Sequence, residues 1–533
     1  MGSGAVEQWD VVVIGSGAGG MTAAVALANA GKRVLVLEQH YLPGGWTHTF
    51  SLEGHRFSPG VHYLGGLEEG GDMRAILEGI GVGGDMEFYE LNPDGYDHVI
   101  AGDQRFDIPK GFENFKQRLC ERFPNERRGI ERYFSYMRRI DDEMSSSSRI
   151  RPPLASLKAL LLTPRLALTG LRPISDRIAK YVSDPFLVTI LESRSGDHGV
   201  SPARVPAAVH IGIDSHYWEG GWYPKGGGGA FPKALARRLK SQGGQIRLRT
   251  MVEGVLIEES SSSRKAVGVR LADGTEIPAD LVLSNADPHV TYRELVGDEH
   301  LSGGLLRRLD GVEYSGSCLS LFMATDLDLA AMGLDSGNYW ICERSDVDAV
   351  YRYAEEQLDL GAAGPFPGGF LTVTTLKDPS KMKDGIHTME AFAFVSHSAF
   401  SQWAGSRTDQ REEGYERLKE ILTGRMLDML EPVVPGLRDN LLLCDLGTPL
   451  TNQYYVNSHM GNLYGTAKTA RQVGPSSFPI RTEIVGLFHC GASTTSHGVL
   501  GVMHSGLLAA KKMLGVQIRD LLVHSDEGSV TIH

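Results

Sequence analysis

The chain predicts an α/β fold built on a parallel sheet, and three observations near its N-terminus carry that expectation. Asp10-Val-Val-Val-Ile14 is a continuous β-branched run, the composition of a strand buried on both faces of a parallel sheet. Gly15-Ser-Gly-Ala-Gly-Gly20 follows at once, a turn that larger side chains would obstruct. Met21, Ala24, Val25 and Ala28 then share one helical face, Gly31 stands where that helix should end, and Arg33-Val-Leu-Val-Leu37 is a second strand closed by Glu38. The result is a complete βαβ unit.

The remaining elements follow in order. Residues 72–200 read as mostly helical, with a charged run Arg118–Arg139 and a loop at Ser145–Ser148. Through 246–285, Ile246, Leu248, Val252, Val255, Ile257, Val267, Val269 and Leu271 alternate, and turns at Ser260–Ser263 and Asp273-Gly274 make this a β-meander. Strands are expected near 317–323, 370–376 and 388–395, and a helix from Arg411 to Met429. Gly486–Cys490 reads as a strand, Gly491-Ala492 as a turn, Val502–Met513 as a helix and 521–533 as a frayed tail. There is no internal repeat.

Composition bounds the function. The 533 residues, 41% hydrophobic and 22% charged, fit a soluble globular enzyme and exclude a disordered chain. Fifty-three basic against 65 acidic residues leave a net charge of −12, the wrong balance for gripping nucleic acid phosphates. The five cysteines (Cys120, Cys318, Cys342, Cys444, Cys490) are scattered, with no Cys-x-x-Cys pair, so neither a disulfide framework nor a metal site is expected, and the compartment is reducing, the cytoplasm. No secretory signal precedes the first strand. Leu446–Ala467 and Ile484–Ala510 lack charges but carry too much Gly, Ser, Thr and His to span a bilayer. Segment 154–171 is apolar enough to lie in a membrane interface or to form two buried helices joined at Pro164, while Lys158, Pro164 and Arg165 argue against a span.

Gly15-x-Gly17-x-x-Gly20 lies between a strand and a helix, with the acid Glu38 about twenty residues on, the context of a dinucleotide-binding fingerprint. Gly15 allows the turn, Gly17 lets a pyrophosphate approach the backbone, Gly20 lets helix pack on strand, and the helix N-terminus faces the phosphates. Glu38 would accept the ribose hydroxyls and disfavour a 2′-phosphate, which argues against NADP. The other glycine cluster, Lys225-Gly-Gly-Gly-Gly229, follows no β-branched strand, so no second dinucleotide site is expected. No His-Glu-x-x-His, Gly-x-Ser-x-Gly or Gly-Lys-Ser/Thr motif is present, which sets aside zinc protease, serine hydrolase and P-loop chemistry.

Further motifs resemble the large FAD family that holds amine oxidases and carotenoid desaturases. Pro43-Gly44-Gly45 stands at the offset of its second flavin-contacting segment, although Trp46 replaces the basic residue that amine oxidases usually carry next. His497-Gly498-Val-Leu-Gly501, after a strand and Gly491, is similar to its closing flavin motif, where a helix N-terminus would stabilise negative charge at the flavin N1–C2=O edge. Trp222-Tyr-Pro-Lys-Gly-Gly227, Gly268–Gly274 and Ala279–Pro288 follow the order of the phytoene desaturase, carotenoid isomerase and retinol saturase superfamily. Gly60-Val-His-Tyr63, His216-Tyr-Trp-Glu-Gly-Gly-Trp222 and Pro449–Tyr454 resemble its saturase and isomerase branch.

That resemblance implies a Rossmann-type FAD-binding domain assembled from 8–75, 225–300 and 475–520, with an inserted mixed α+β substrate lobe from 76–224 and 301–474. It implies an apolar tunnel, a membrane-dipping element at 154–171, backbone contact of Val252 with adenine, and Gly491, Gly498 and Gly501 bordering the flavin. The location implied is cytoplasmic, with peripheral membrane contact.

Moving hydrogen between a flavin and a C–C bond needs a dry path to N5 and often a proton donor opposite. His62, Tyr63 and His497 are the first candidates, each weighed against a purely packing role. His210, His216 and Tyr217 are expected to line or support the pocket, His504 to pack its helix, and Tyr454, Tyr455 and Tyr464 to stack along a polyene or serve as aromatic core. The expected function is FAD-dependent saturation, isomerisation or desaturation of an apolar polyene or isoprenoid. The alternatives are a flavin amine oxidase and a non-catalytic prenyl-chain carrier similar to Rab GDP-dissociation inhibitors.

Overall fold

A computed structural model describes residues 8–147, 163–260, 263–356, 360–406, 411–523 and 528–533. One seven-stranded sheet orders its main strands 252–259, 264–271, 276–284, 9–14, 34–37 and 245–247, and 487–489 also pairs with 276–284. The first strand, Trp9–Ile14, is parallel to both neighbours, with Val12 opposite Val282 and Leu35. Val11, Val12 and Val13 are wholly buried, as a β-branched strand covered on both faces must be. Helices Ala18–Asn29 and Gly498–Leu514 pack together over this sheet. A Cβ on Gly506 would lie 2.2 Å from the Gly19 carbonyl oxygen, so the two backbones approach as closely as glycine permits.

The second seven-stranded sheet runs 441–447, 317–325, 387–395, 368–373, 338–342, 97–101, 104–108. Its central strands Ser317–Thr325 and His387–Val395 are buried at every position, because apolar clusters cover both faces. The helical wall of this lobe comes from Arg127–Ser147, Pro185–Glu192 and Ala207–His216.

Several sequence expectations need correction. Residues 72–200 are mostly helical where described, but not throughout: Glu87–Glu90, Asp97–Ala101 and Gln104–Ile108 are strands. The last two form a hairpin across Gly102-Asp103, with Gly102 at φ +59°, a turn signal that the charged run downstream overshadowed. The serine run is no loop at its start, since the helix continues to Ser147; Ser148 lies outside the described residues. Gln245–Arg247 leaves the meander and pairs in parallel with Val34–Leu37. The C-terminal residues are not simply frayed, because Thr531–Ile532 pairs with Glu87–Phe88 and Val530 is buried. Of segment 154–171, residues 154–162 lie outside the described residues, and Leu166–Gly170 form a short wide helical turn.

Candidate functional site

The site begins at the first β–α turn. Gly15 sits at φ +89° and its N–H donates to the Leu37 carbonyl, 2.8 Å away, a conformation that favours glycine. A Cβ on Gly17 would come within 2.6 Å of the Asn285 side-chain amide, and one on Gly20 within 2.6 Å of the Gly15 carbonyl. Helix Ala18–Asn29 has no side-chain cap and no acid in its first turn, so its first N–H groups remain free for an anion. The same holds for helix Gly498–Leu514, whose N-cap is His497.

Both uncapped ends border a cleft of about 290 Å³. Gly15, Gly17, Glu38, Gly44, Gly45, Trp46, Val252, Gly491 and Gly498 line it; Gly20 does not, and packs helix on strand instead. Glu38 is held on the cleft wall by three donors: the Ser16 N–H at 2.8 Å, the Ser16 hydroxyl at 2.6 Å and the His40 N–H at 2.8 Å. The Gly44 N–H donates to the Ser16 oxygen at 2.9 Å, which ties the Pro-Gly-Gly segment to the first turn. Two uncapped helix ends, closely approaching glycines and an acid at the far end match the parts of a dinucleotide. Asn285, which braces this turn and lines the cleft, escaped sequence reasoning although it follows a buried strand directly.

A second chamber of about 520 Å³ adjoins the cleft, the two sharing Gly60, His62, Phe392, Tyr464, Gly498 and Val499. Tyr63, Tyr217, Trp340 and Phe370 add aromatic surface, and Ile76, Leu500, Leu507, Ile518 and Leu522 continue the wall. Gly501 belongs to this chamber and not to the cleft. Tyr63 and Tyr217 stack with centroids 4.3 Å apart, and the Tyr63 hydroxyl donates to Asp197 Oδ2 at 2.7 Å.

His497 Nε2 lies 3.1 Å from the Asp197 carbonyl oxygen and so donates to it, leaving Nδ1 buried without a partner. Burial, together with the neighbouring Lys468, pushes this imidazole down to about 3, and it stays neutral. His62 points its Nε2 toward Glu390 Oε2, 3.3 Å away, while its backbone carbonyl accepts from the Lys377 ammonium at 2.7 Å. Burial pushes Lys377 down to about 7.

The pocket-lining candidates separate. His216 and Tyr217 line the chamber, and the Gly65 N–H donates to His216 Nε2. His210 is buried behind it, hydrogen-bonded to Leu191 and His198. Tyr464 lines both cavities and Tyr455 the cleft, whereas Tyr454 is 59% exposed and lines neither. His504 is exposed on its helix and lines the chamber wall instead of packing.

Residues that sequence reasoning missed surround Tyr63. Arg194 reaches Tyr96 at 2.6 Å, Asp214 at 3.1 Å and Asp97 at 3.4 Å. Asp197 joins them through the Tyr63 hydroxyl, and Glu390, also missed, stands beside His62. A lone acid within the otherwise uncharged run His387–Val395 was the available signal for Glu390; the polar stretch Ser193–His198 behind an apolar helix was that for Arg194 and Asp197. Among the described residues, no three His, Cys, Asp or Glu side chains cluster to hold a metal ion.

The profile of the family described as flavin containing amine oxidoreductase matches residues 18–352. An all-trans-retinol 13,14-reductase of Danio rerio is 28% identical over 86% of this chain and 78% of its own. A chloroplastic prolycopene isomerase of Daucus carota is 26% identical over 96% of this chain and 81% of its own. The crystal structure of an oxidoreductase from Methanosarcina mazei superposes with a TM-score of 0.64 at 19% identity, over 95% of this chain and all of that one, which shows a shared fold.

Proposed function

Because the chain belongs to the flavin containing amine oxidoreductase family and takes FAD as its cofactor, we propose that it moves hydrogen between the flavin and a C–C bond of an apolar polyene or isoprenoid, by saturation or isomerisation. One observation carries the reading: an aromatic and aliphatic chamber of about 520 Å³ opens onto the cofactor cleft at His62 and Gly498. The Danio rerio and Daucus carota relatives, named for a retinol and a prolycopene reaction, support the same substrate class.

In this reading Gly15, Gly17, Gly44 and Gly45 hold the FAD pyrophosphate, Gly20 seats its helix, Glu38 takes the ribose and Val252 lies by the adenine. Gly491 and Gly498 border the flavin, with Gly501 just behind. Bound FAD supplies hydride exchange at its N5. His62 stands at the junction of cleft and chamber, oriented by Glu390 and Lys377. Tyr63 lies on the chamber wall, and neutral His497 orients the backbone of Asp197. Aromatic rings at the junction exclude water and stack along the conjugated chain. The FAD domain is assigned to 8–75, 225–300 and 475–520, and the substrate lobe to 76–224 and 301–474.

Peripheral membrane contact through segment 154–171 is part of the proposal. No helix among the described residues is long and apolar enough to cross a membrane. Leu168 and Leu171 are 71% and 55% exposed. Helix Ala207–His216, which supplies Gly212 and Ile213 to the chamber, packs on Leu166–Gly170, so a lipid-dissolved substrate would have a short route in.

The test is a visible spectrum of the purified protein followed by anaerobic dithionite titration and addition of retinol or a carotenoid. Flavin bands should bleach and then return with a saturated product for a saturase; an isomerase would convert geometric isomers with no net return. Hydrogen peroxide release with amines and inertness toward polyenes would instead establish amine oxidation. A colourless protein that FAD cannot reconstitute would leave only a carrier role.

A further inference from the structure

We propose that Asp197 is the acid that delivers a proton to the substrate carbon in the aromatic chamber. The inference rests on the polyene reading above and deepens it. Within Leu191–Val200, Asp197 is the one residue that is not buried, yet it lies deep in the protein. Its accessible surface therefore faces the chamber that it lines.

The carboxyl is built into place from two sides. The Tyr63 hydroxyl fixes Oδ2 at 2.7 Å, and His497 Nε2 holds the backbone carbonyl at 3.1 Å. Around it stand Asp97, Arg194, Asp214, Tyr217, Tyr351 and Tyr464, besides Tyr63 and His497. Arg194 is turned to Asp97 and Asp214, so one cation already faces two carboxylates. A third ionised carboxylate would add unbalanced negative charge in a dry site. Burial first, and then the charge of Asp97, push the Asp197 carboxyl up to about 7, where a general acid works well near neutrality.

The other candidates on the wall are less able donors. The Tyr63 phenol is held well above its ordinary range by burial and the Asp197 charge. His497 is neutral, with its one proton committed to the Asp197 carbonyl. His216 accepts the Gly65 N–H and is pushed down to about 4.

The step balances as follows. In a net saturation the alkene takes a hydride at one carbon from FAD that an external electron donor has reduced, dithionite in the test. It takes a proton at the other carbon. The Asp197 O–H bond breaks, a C–H bond forms, and the resulting carboxylate regains its proton from water after product leaves.

The experiment compares the holoenzyme with D197N, whose amide oxygen still accepts from Tyr63, and with Y63F. Two readouts are followed: infrared difference spectra against pH without substrate, and product formation from retinol or a carotenoid after dithionite reduction. The proposal expects a protonated-carboxyl band that titrates near neutral pH and is absent in D197N. It expects product formation at least about 100-fold slower in D197N, with flavin reduction by dithionite unchanged. In Y63F the band should persist with a displaced midpoint. A wild-type protein without the band, or a D197N variant as fast as wild type, overturns the proposal while leaving the substrate reading intact. A wild-type protein inert toward polyenes overturns the reading, and the proposal falls with it.

Discussion

Glu390 and His62 show how single residues couple the cofactor cleft to the second sheet. Glu390 sits in a strand buried at every position, accepts the Ser58 N–H at 2.7 Å and lies 3.3 Å from His62 and 3.9 Å from Lys381. Glu390→Gln removes the charge and leaves the buried Lys381 ammonium without its carboxylate. Such a break costs about 3 kcal/mol, which thermal unfolding of the variant should show. Asp197 has a signature in stability as well as in turnover. Its carboxyl keeps its proton in the folded state up to about pH 7 but releases it near its ordinary value of 3.8 when unfolded. The native state thus binds more protons between these values, and Asp197 lowers stability as pH rises through that window. The Tm of D197N relative to wild type should therefore rise from pH 4 to pH 7, and a constant difference would contradict the shift.

Two glycines separate folding from cofactor binding at the scale of elements. Gly506 holds helix Gly498–Leu514 against helix Ala18–Asn29, where a Cβ would meet the Gly19 carbonyl at 2.2 Å. Gly506→Ala must push rigid backbone apart, and overpacking of this kind costs about 1–3 kcal/mol. Gly17 is different. Its Cβ would meet only the Asn285 side-chain amide, which can swing away, but under the proposed function the added methyl stands where the cofactor's pyrophosphate approaches. Gly17→Ala should fold with nearly wild-type circular dichroism and lose its yellow colour on gel filtration. Equal loss of fold in both variants would remove the distinction.

The cleft draws on the chain from end to end of the molecule. Its wall takes residues from Gly15, Glu38 and Gly45, from Val252 and Asn285, and from Gly491 and Gly498. A ligand that touches all three stretches stabilises the assembled state by mass action, about 2.7 kcal/mol at a hundredfold excess over Kd. Apoprotein titrated with FAD should accordingly show a Tm that climbs with ligand concentration. At the same scale, Leu168→Asp should reduce flotation with neutral lipid vesicles and leave the flavin spectrum unaltered, because Leu168 is 71% exposed and lines neither cavity.

The α/β class and the first βαβ unit were legible because each is local. A β-branched run, a glycine turn and a helical stripe specify their geometry within a few residues, and Glu38 directly follows the next strand, Val34–Leu37, at the offset the turn dictates. The retinol-reductase and prolycopene-isomerase relatives bear out the polyene resemblance read from Gly60-Val-His-Tyr63 and the segments after it. Tertiary structure alone decided which distant side chains share a dry space. Arg194 and Asp197 share the short helical turn Ser193–Asp197, but Asp97 and Tyr63 reach them from distant parts of the chain, and only packing sets the burial that perturbs their protons. The strand Gln245–Arg247 makes the same point for the backbone: its alternation reads as the start of a meander, but the open edge beside Val34–Leu37 offered it a parallel partner. Local pattern sets the faces of an element, and the partner available in three dimensions sets which neighbour those faces meet.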